Sequence, residues 1–159
     1  MTLFHGSYLT IEKPDISFSR DNVDFGRGFY TTPNEEQAAS WAKRFKRKYG
    51  QSVISSYEID MDALHETAKI LIFEEHNEAW IDFIFTSRQG GKRMENYDIV
   101  IGGVANDRVF NTIQLYLDGL IDKAESIKRL RYDKPHLQYC FCNQAIIDEY
   151  LRFVSSEVL

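Results

Sequence analysis

With 159 residues, the chain is long enough for one domain, and a domain of this length buries about 70% of its unfolded surface. Its hydrophobic content of 43% excludes a disordered tail, and its formal charge of −5 gives no overall attraction to nucleic acid or to an anionic membrane. There is neither a secretion signal nor an apolar run long enough to span a bilayer, so we expect a cytoplasmic protein without membrane contact.

The first half of the chain alternates between strand and helix patterns. It opens with a predicted strand at residues 2–7 and a long polar loop at 8–24, followed by a glycine-punctuated strand at 25–31. The run from Thr32 to Glu35 is a capping box, which predicts a helix that begins after Thr32 and ends at Gly50. Two further strands are predicted at residues 52–59 and 69–73.

The second half contains more helix than strand. Helices are predicted at residues 78–88 and 107–118, after Asp122, and from Asn143 to about Val154. Strands are predicted at residues 97–102 and 137–142. Strands occur at both ends without regular βαβ alternation, which favours the α+β class over a doubly wound sheet. No linker or repeat divides the chain, so we predict a single domain over residues 1–159.

Cys140 and Cys142 are the only cysteines and lie two residues apart in a predicted strand. This spacing is awkward for a mutual disulfide and leaves too few ligands for a zinc site. The four histidines are scattered along the chain without a metalloprotease spacing. We therefore expect no metal, and the cysteine content fits a reducing cytoplasm.

Three segments near the N-terminus could together bind a flat ring that carries an amide. They are the run His5-Gly6-Ser7, the run from Asp24 to Tyr30, and Trp41 in the helix that follows. A carboxamide has one acceptor and two donors, which a bare glycine backbone can approach closely, while aromatic rings can stack on the ring faces. Nicotinamide is such a ring, so the pattern favours an enzyme that uses NAD+.

These segments resemble the ADP-ribosyltransferase superfamily, in the branch that contains diphtheria toxin and the poly(ADP-ribose) polymerases. His5-Gly6-Ser7 is similar to the His-Gly-Ser/Thr of its first strand, and Phe25 to Tyr30 is similar to its Phe-Gly-Lys-Gly-Ile-Tyr. Leu137 to Cys142 is similar to its last catalytic strand, usually Asn-Glu-Tyr-Ile-Val-Tyr. Residues 24–32 and 97–107 also resemble an uncharacterised bacterial family of this superfamily.

The resemblance implies an α+β fold of two packed antiparallel sheets flanked by helices, with NAD+ as co-substrate and no metal. In that fold His5 would bind the adenosine ribose, while the Gly6 backbone and the Ser7 hydroxyl would bind the nicotinamide carboxamide. Tyr30 and Trp41 would stack on the two faces of the ring, and Arg20 would contact a phosphate.

One catalytic position departs from the family pattern, because Gln138 stands where the family usually has a glutamate. A glutamine can hydrogen-bond the ribose 2′-hydroxyl but carries no charge and accepts no proton. A neighbouring carboxylate could compensate, and Asp98 and Asp107 are the candidates. The implied activity is mono-ADP-ribosylation of an intracellular protein or nucleic acid, with a toxin neutralised by a small antitoxin as the implied biological setting.

Two other interpretations stay open. The glutamine at position 138 is also compatible with a catalytically inactive module that binds NAD+ or ADP-ribose. The basic run from Lys43 to Lys48 is compatible with a nucleic-acid-binding protein or a nuclease, although the acidic overall charge argues against it.

Overall fold

The computed structural model describes residues 1–90, 96–104, 107–131 and 136–159. Within these ranges the strands are β1 (Thr2–Ser7), β2 (Phe29–Thr31), β3 (Val53–Glu58), β4 (Ile70–Ile72), β5 (Ile99–Gly103), β6 (Leu137–Phe141) and β7 (Arg152–Val158). The helices are α1 (Glu35–Tyr49), α2 (Met61–Thr67), α3 (Glu78–Arg88), α4 (Asp107–Leu117), α5 (Lys123–Leu130) and α6 (Gln144–Tyr150). A 3-10 turn at Ile16–Phe18 interrupts the long first loop.

The strands form two sheets, which confirms the α+β class. One sheet has the order β1-β3-β7, and the other has the order β2-β6-β5-β4. All pairs are antiparallel except β4 and β5, which run parallel. The expectation of two antiparallel sheets is wrong at this pair, because α3 lies between β4 and β5 in the chain and a helical crossover returns the second strand in the same direction.

Two apolar clusters hold the sheets and helices together. The first lies between the sheets, where Leu3 and Tyr57 of one sheet pack with Ile99 and Phe141 of the other. The second covers the opposite face of the four-stranded sheet, where Val100 and Cys140 pack with side chains of α3, α4 and α5. The central strands β5 and β6 of this sheet are therefore buried on both faces, and β5 is apolar along its whole length.

Several predicted boundaries change in the structure. The strand predicted at residues 25–31 is limited to Phe29–Thr31, because Gly26 has a positive φ of 77° and forms a turn with Val23. Helix α1 is capped by Asn34, whose side chain accepts a hydrogen bond from the Gln37 backbone, and not by Thr32. Its predicted end is confirmed, because Gly50 takes the left-handed conformation.

The C-terminal segment differs most from the prediction. The last helix ends at Tyr150 rather than near Val154, and β7 follows it directly. β7 pairs with β3 over nearly its full length, and such a non-local partner is absent from the local sequence pattern. Helix α2, which Asp60 caps, was also not predicted.

Within the described ranges, none of the helices combines the length and apolar character that crossing a bilayer requires.

Candidate functional site

The candidate site lies where β1 and β2, the edge strands of the two sheets, meet and then separate. Phe4 and Thr32 exchange two backbone hydrogen bonds of 2.8 and 2.9 Å, in an isolated bridge. In an antiparallel pair of strands, residue pairs that exchange two backbone hydrogen bonds alternate with pairs that exchange none. If the pairing continued past Phe4 and Thr32, the next two residues to exchange hydrogen bonds would be Gly6 and Tyr30. In the described chain the pairing does not continue there, and the backbone N–H and C=O of Gly6 face the gap between the strands.

His5 occupies the position where the two strands separate. Its Nδ1 lies 2.6 Å from the Tyr30 carbonyl oxygen, and a carbonyl only accepts, so Nδ1 is the donor. The ring also stacks on Phe29 at 4.5 Å between centroids. Burial lowers the pKa of His5, opposed by the Tyr30 hydrogen bond, so the imidazole is neutral near pH 7. A neutral ring that donates through Nδ1 keeps a lone pair on Nε2.

Gly6 allows helix α1 to pack directly on β1. A Cβ at this position would lie 2.2 Å from the Ala38 carbonyl oxygen and 2.9 Å from the Ala42 nitrogen. Trp41 belongs to the same helical turn and is half-buried. Trp41 therefore lies in the helical turn that covers Gly6, and the aromatic contacts of the described residues include none between Trp41 and Tyr30. That Trp41 stacks on a bound ring stays a prediction.

Tyr30 is fixed by the turn that precedes it. Its hydroxyl donates to the Gly26 carbonyl at 2.6 Å and accepts from the Phe25 backbone N–H at 3.0 Å. Burial, with Cys140 as the next largest cause, raises the pKa of Tyr30 well above its usual value, so the phenol stays protonated. These bonds hold the ring in place, and they involve the glycine-rich motif that suggested the site.

Gln138 lies on the same face of the four-stranded sheet as Tyr30. Tyr30 is opposite Cys140 on β6, and Gln138 is two residues from Cys140 along that strand. The Gln138 side chain is 2% exposed. Its Nε2 lies 3.4 Å from a carboxylate oxygen of Asp24 and 3.4 Å from the Gly103 carbonyl oxygen.

Asp24 is the described carboxylate that contacts Gln138, and its importance was not recognised in the sequence. Its Oδ1 accepts two hydrogen bonds from Arg88, at 3.0 Å from Nε and 2.6 Å from an Nη atom. Both side chains are largely buried, at 16% and 14% exposure. The Asp-Phe-Gly motif contained the residue, but only the tertiary structure brings Arg88 at the end of α3 next to it.

Asp98 is not next to Gln138. It precedes β5 and lies near Cys142, whereas Gln138 is opposite Gly102 toward the other end of the same strand. One carboxylate oxygen accepts from the Lys69 backbone at 2.7 Å, and the other accepts from the Asn143 side chain at 2.8 Å. Asp98 therefore joins β4, β5 and the start of α6. The side chain of Asp107, at the start of α4, lies outside the described part of the chain.

The remaining predicted site residues have different environments. Ser7 is buried at the end of β1 and, by strand alternation, lies on the same face of the sheet as His5. Arg20 is exposed in the long loop. Of the free cysteines, Cys140 is buried beside Tyr30, and its sulfur lies 3.6 Å from that of Cys142. In the described residues, three or more metal-binding side chains do not cluster anywhere.

Two cavities lie near helix α4. One of about 390 Å³ is bordered by Asp24, Arg88 and Phe110, and thus ends at the carboxylate that contacts Gln138. Another of about 640 Å³ lies between α4 and α5 and carries the cations Arg108, Lys128, Arg129 and Arg131. His5 and Tyr30 are not among the residues that line these two cavities.

Comparison with known proteins places the chain in a family. Residues 1–153 match the model of a family described as "Protein of unknown function (DUF3990)". No curated protein and no solved structure matches the chain. The matched range contains the strand gap, Asp24, Arg88 and Gln138, and it confirms the expectation of a family of unknown function. The relation to ADP-ribosyltransferases stays a resemblance.

Proposed function

This chain belongs to the DUF3990 family, and from the geometry of its site we propose that it is a mono-ADP-ribosyltransferase that uses NAD+ as co-substrate. The observation that carries the proposal is the interrupted pairing between β1 and β2. It leaves a backbone donor and a backbone acceptor of Gly6 side by side at a strand edge, beside His5 and Tyr30. A carboxamide has the complementary donor and acceptor.

The neighbouring side chains fit the rest of such a ligand. The ring of Tyr30, held by Phe25 and Gly26, and the ring of Trp41 are the surfaces on which nicotinamide would stack. An aromatic pair of this kind contributes about 0.5–1.5 kcal/mol beyond burial. The neutral His5 offers its Nε2 lone pair to a ribose hydroxyl.

The chemistry required of the site is substitution at the ribose carbon that bears nicotinamide. The bond from that carbon to the ring nitrogen breaks, and its electron pair leaves with neutral nicotinamide. A lone pair of the acceptor forms the new bond, and the acceptor's proton passes to solvent or to a base. The sugar gains oxocarbenium character, so the site must hold its 2′-hydroxyl and stabilise positive charge, as in glycoside hydrolysis.

The acceptor is macromolecular in this proposal, and the basic part of α1 favours a polyanionic surface on it. All five cations in the run from Lys43 to Lys48 are exposed. Three of them, Lys43, Arg47 and Lys48, make no salt bridge with any carboxylate of the described chain. The same helix covers Gly6 with its other half, so an acceptor bound along these cations would lie beside the strand gap.

The direct test is incubation of the protein with NAD+ labelled in its adenylate part, together with cell lysate. We expect release of nicotinamide and transfer of label to a macromolecule, whose nature protease and nuclease digestion would identify. The His5→Ala variant should release at least tenfold less nicotinamide. The exposed His65 on α2 gives a matched control, and His65→Ala should behave as the wild type. If the wild type yields no free nicotinamide and no labelled product, the protein is not a transferase.

A second function is favoured by one observation, the absence of a carboxylate at position 138. In that case the protein is an NAD+-binding module without turnover. Nicotinamide stacking should quench Trp41 fluorescence, and the quenching should disappear in Trp41→Phe. Quenching by NAD+ without any nicotinamide release would support the binding module over the transferase.

A further inference from the structure

We propose that Asp24, held by Arg88, orients the Gln138 amide so that Gln138 Oε1 accepts a hydrogen bond from the 2′-hydroxyl of the nicotinamide ribose. This inference rests on the proposed NAD+ site. In it Asp24 is a positioning residue, which acts on the ligand through Gln138. It also explains how a glutamine could occupy the catalytic position without losing contact with the sugar.

The first step is the polarity of the groups around Gln138. Its amide end has two neighbours within hydrogen-bond reach, the Asp24 carboxylate and the Gly103 carbonyl, each at 3.4 Å. Both are acceptors, and an amide can satisfy acceptors only through its NH2 group. Nε2 therefore points toward Asp24 and Gly103, and Oε1 points away from them. In the described chain Oε1 accepts no hydrogen bond from protein.

The second step is the rigidity of Asp24. Its Oδ1 receives two N–H groups of Arg88, which is the strong, directional form of this contact. Oδ2 is left for Gln138. Since Asp24 and Arg88 are mostly buried, the pair is little screened by solvent and fixes the carboxylate in one orientation. Arg88 also lies over the Phe110 ring at 4.9 Å, which restricts the guanidinium.

The consequence concerns the oxygen that the ribose would meet. A glutamate at position 138 presents an acceptor in either orientation of its carboxylate, whereas a glutamine presents an acceptor in one orientation and a donor in the other. The Asp24 carboxylate selects the acceptor orientation. The hydrogen bonds from Arg88 to Asp24 and from Gln138 to Asp24 therefore let the glutamine present a hydrogen-bond acceptor to the ribose, as a glutamate would, although without its charge.

The test uses two ligands, NAD+ and the analogue that lacks the 2′-hydroxyl of the nicotinamide ribose, and measures their affinities by calorimetry on the full chain. The wild type should bind NAD+ about fivefold more tightly than the analogue, the ratio expected for one neutral hydrogen bond. In Asp24→Asn, Arg88 holds the amide oxygen of the new side chain, so its NH2 faces Gln138 and reverses the glutamine. This variant should lose the preference.

A double variant separates positioning from a structural effect. In Asp24→Asn with Gln138→Glu, both oxygens of the new carboxylate accept hydrogen bonds and the orientation no longer matters. The preference for the 2′-hydroxyl should return. Gln138→Glu alone places two carboxylates in contact, and it should bind NAD+ less tightly than the double variant does. If Asp24 served only to stabilise the fold, the double variant would be as defective as Asp24→Asn, and the inference would be wrong.

The remaining outcomes distinguish this inference from the proposed function. Equal ligand preference in the wild type and Asp24→Asn overturns the inference and leaves the NAD+ site intact. Wild-type protein that binds both ligands equally well also overturns it, because Gln138 then does not contact the hydroxyl. Wild-type protein that binds neither ligand removes the NAD+ site itself, and the inference with it.

Discussion

At the scale of single residues, small local sequences set up groups whose partners are distant in the chain. His5 donates a hydrogen bond to the Tyr30 carbonyl, and the Tyr30 hydroxyl donates one to the Gly26 carbonyl in the preceding turn. The sequence predicted that His5, Gly6 and Tyr30 belong to one site. The structure places the His5 ring against the Tyr30 carbonyl, and the role of these residues in binding NAD+ stays a prediction. The sequence did not indicate that Asp24 would contact Gln138, because a single acidic residue beside a glycine-rich motif has no local signature of a long-range hydrogen bond.

Asp98 provides the first residue-scale prediction. Its carboxylate accepts from the Lys69 backbone and from Asn143, so we expect a structural role. Asp98→Ala should lower the free energy of unfolding by roughly 2 kcal/mol, measured by urea denaturation, because hydrogen bonds to a charged group contribute more than neutral ones. Nicotinamide release per folded molecule should stay within about twofold of the wild type. A loss of turnover at unchanged stability would restore Asp98 as a catalytic candidate.

At the scale of elements, helix boundaries were largely readable from the sequence and strand pairing was not. The end of α1 at Gly50, the caps of α5 and α6, and the strands β1 and β3 follow from local signals. The first three residues of β7, residues 152–154, were wrongly predicted as the end of a helix. The seven residues of β7 become a strand because the open edge of β3 is available, and this edge exists only once the chain has folded.

The contact between α1 and β1 gives the element-scale prediction. Gly6→Ala places a Cβ against the Ala38 carbonyl and the Ala42 nitrogen, and backbone atoms cannot rotate away as a side chain can. We expect a loss of about 3 kcal/mol in unfolding free energy, at the upper end of overpacking effects. Gly50→Ala, with a φ of 81° but open space around it, is the control and should lose only about 1 kcal/mol. Equal losses in urea denaturation would contradict direct helix–strand packing at Gly6.

At the scale of the whole molecule, the four-stranded sheet is common to both apolar clusters. Ile99 and Phe141 belong to the cluster between the sheets, and Val100 and Cys140 belong to the cluster under α3 and α4. Adjacent residues of the same strands thus enter different clusters, so neither cluster can lose its packing without exposing the sheet that supports the other. This arrangement favours cooperative unfolding of one domain.

The two tryptophans make the cooperativity measurable. Trp80 is fully buried under the four-stranded sheet, and Trp41 is half-buried on α1, the helix that packs on β1 of the three-stranded sheet. We expect the fluorescence transition of each single-tryptophan variant, Trp41→Phe and Trp80→Phe, to coincide with that variant's own far-ultraviolet circular dichroism transition in urea. A fluorescence midpoint clearly displaced from the dichroism midpoint in either variant would indicate that the sheets unfold separately.

The sequence by itself determined the α+β class and most element positions, because caps, glycine turns and alternating apolar residues act over a few neighbouring positions. Only the tertiary structure decided the parallel pair β4–β5, the strand β7, and the contacts of Asp24 with Gln138 and with Arg88. Each of these depends on groups far apart in the chain. Their energies appear only when folding brings the groups within bonding distance, and a local pattern carries no record of that distance.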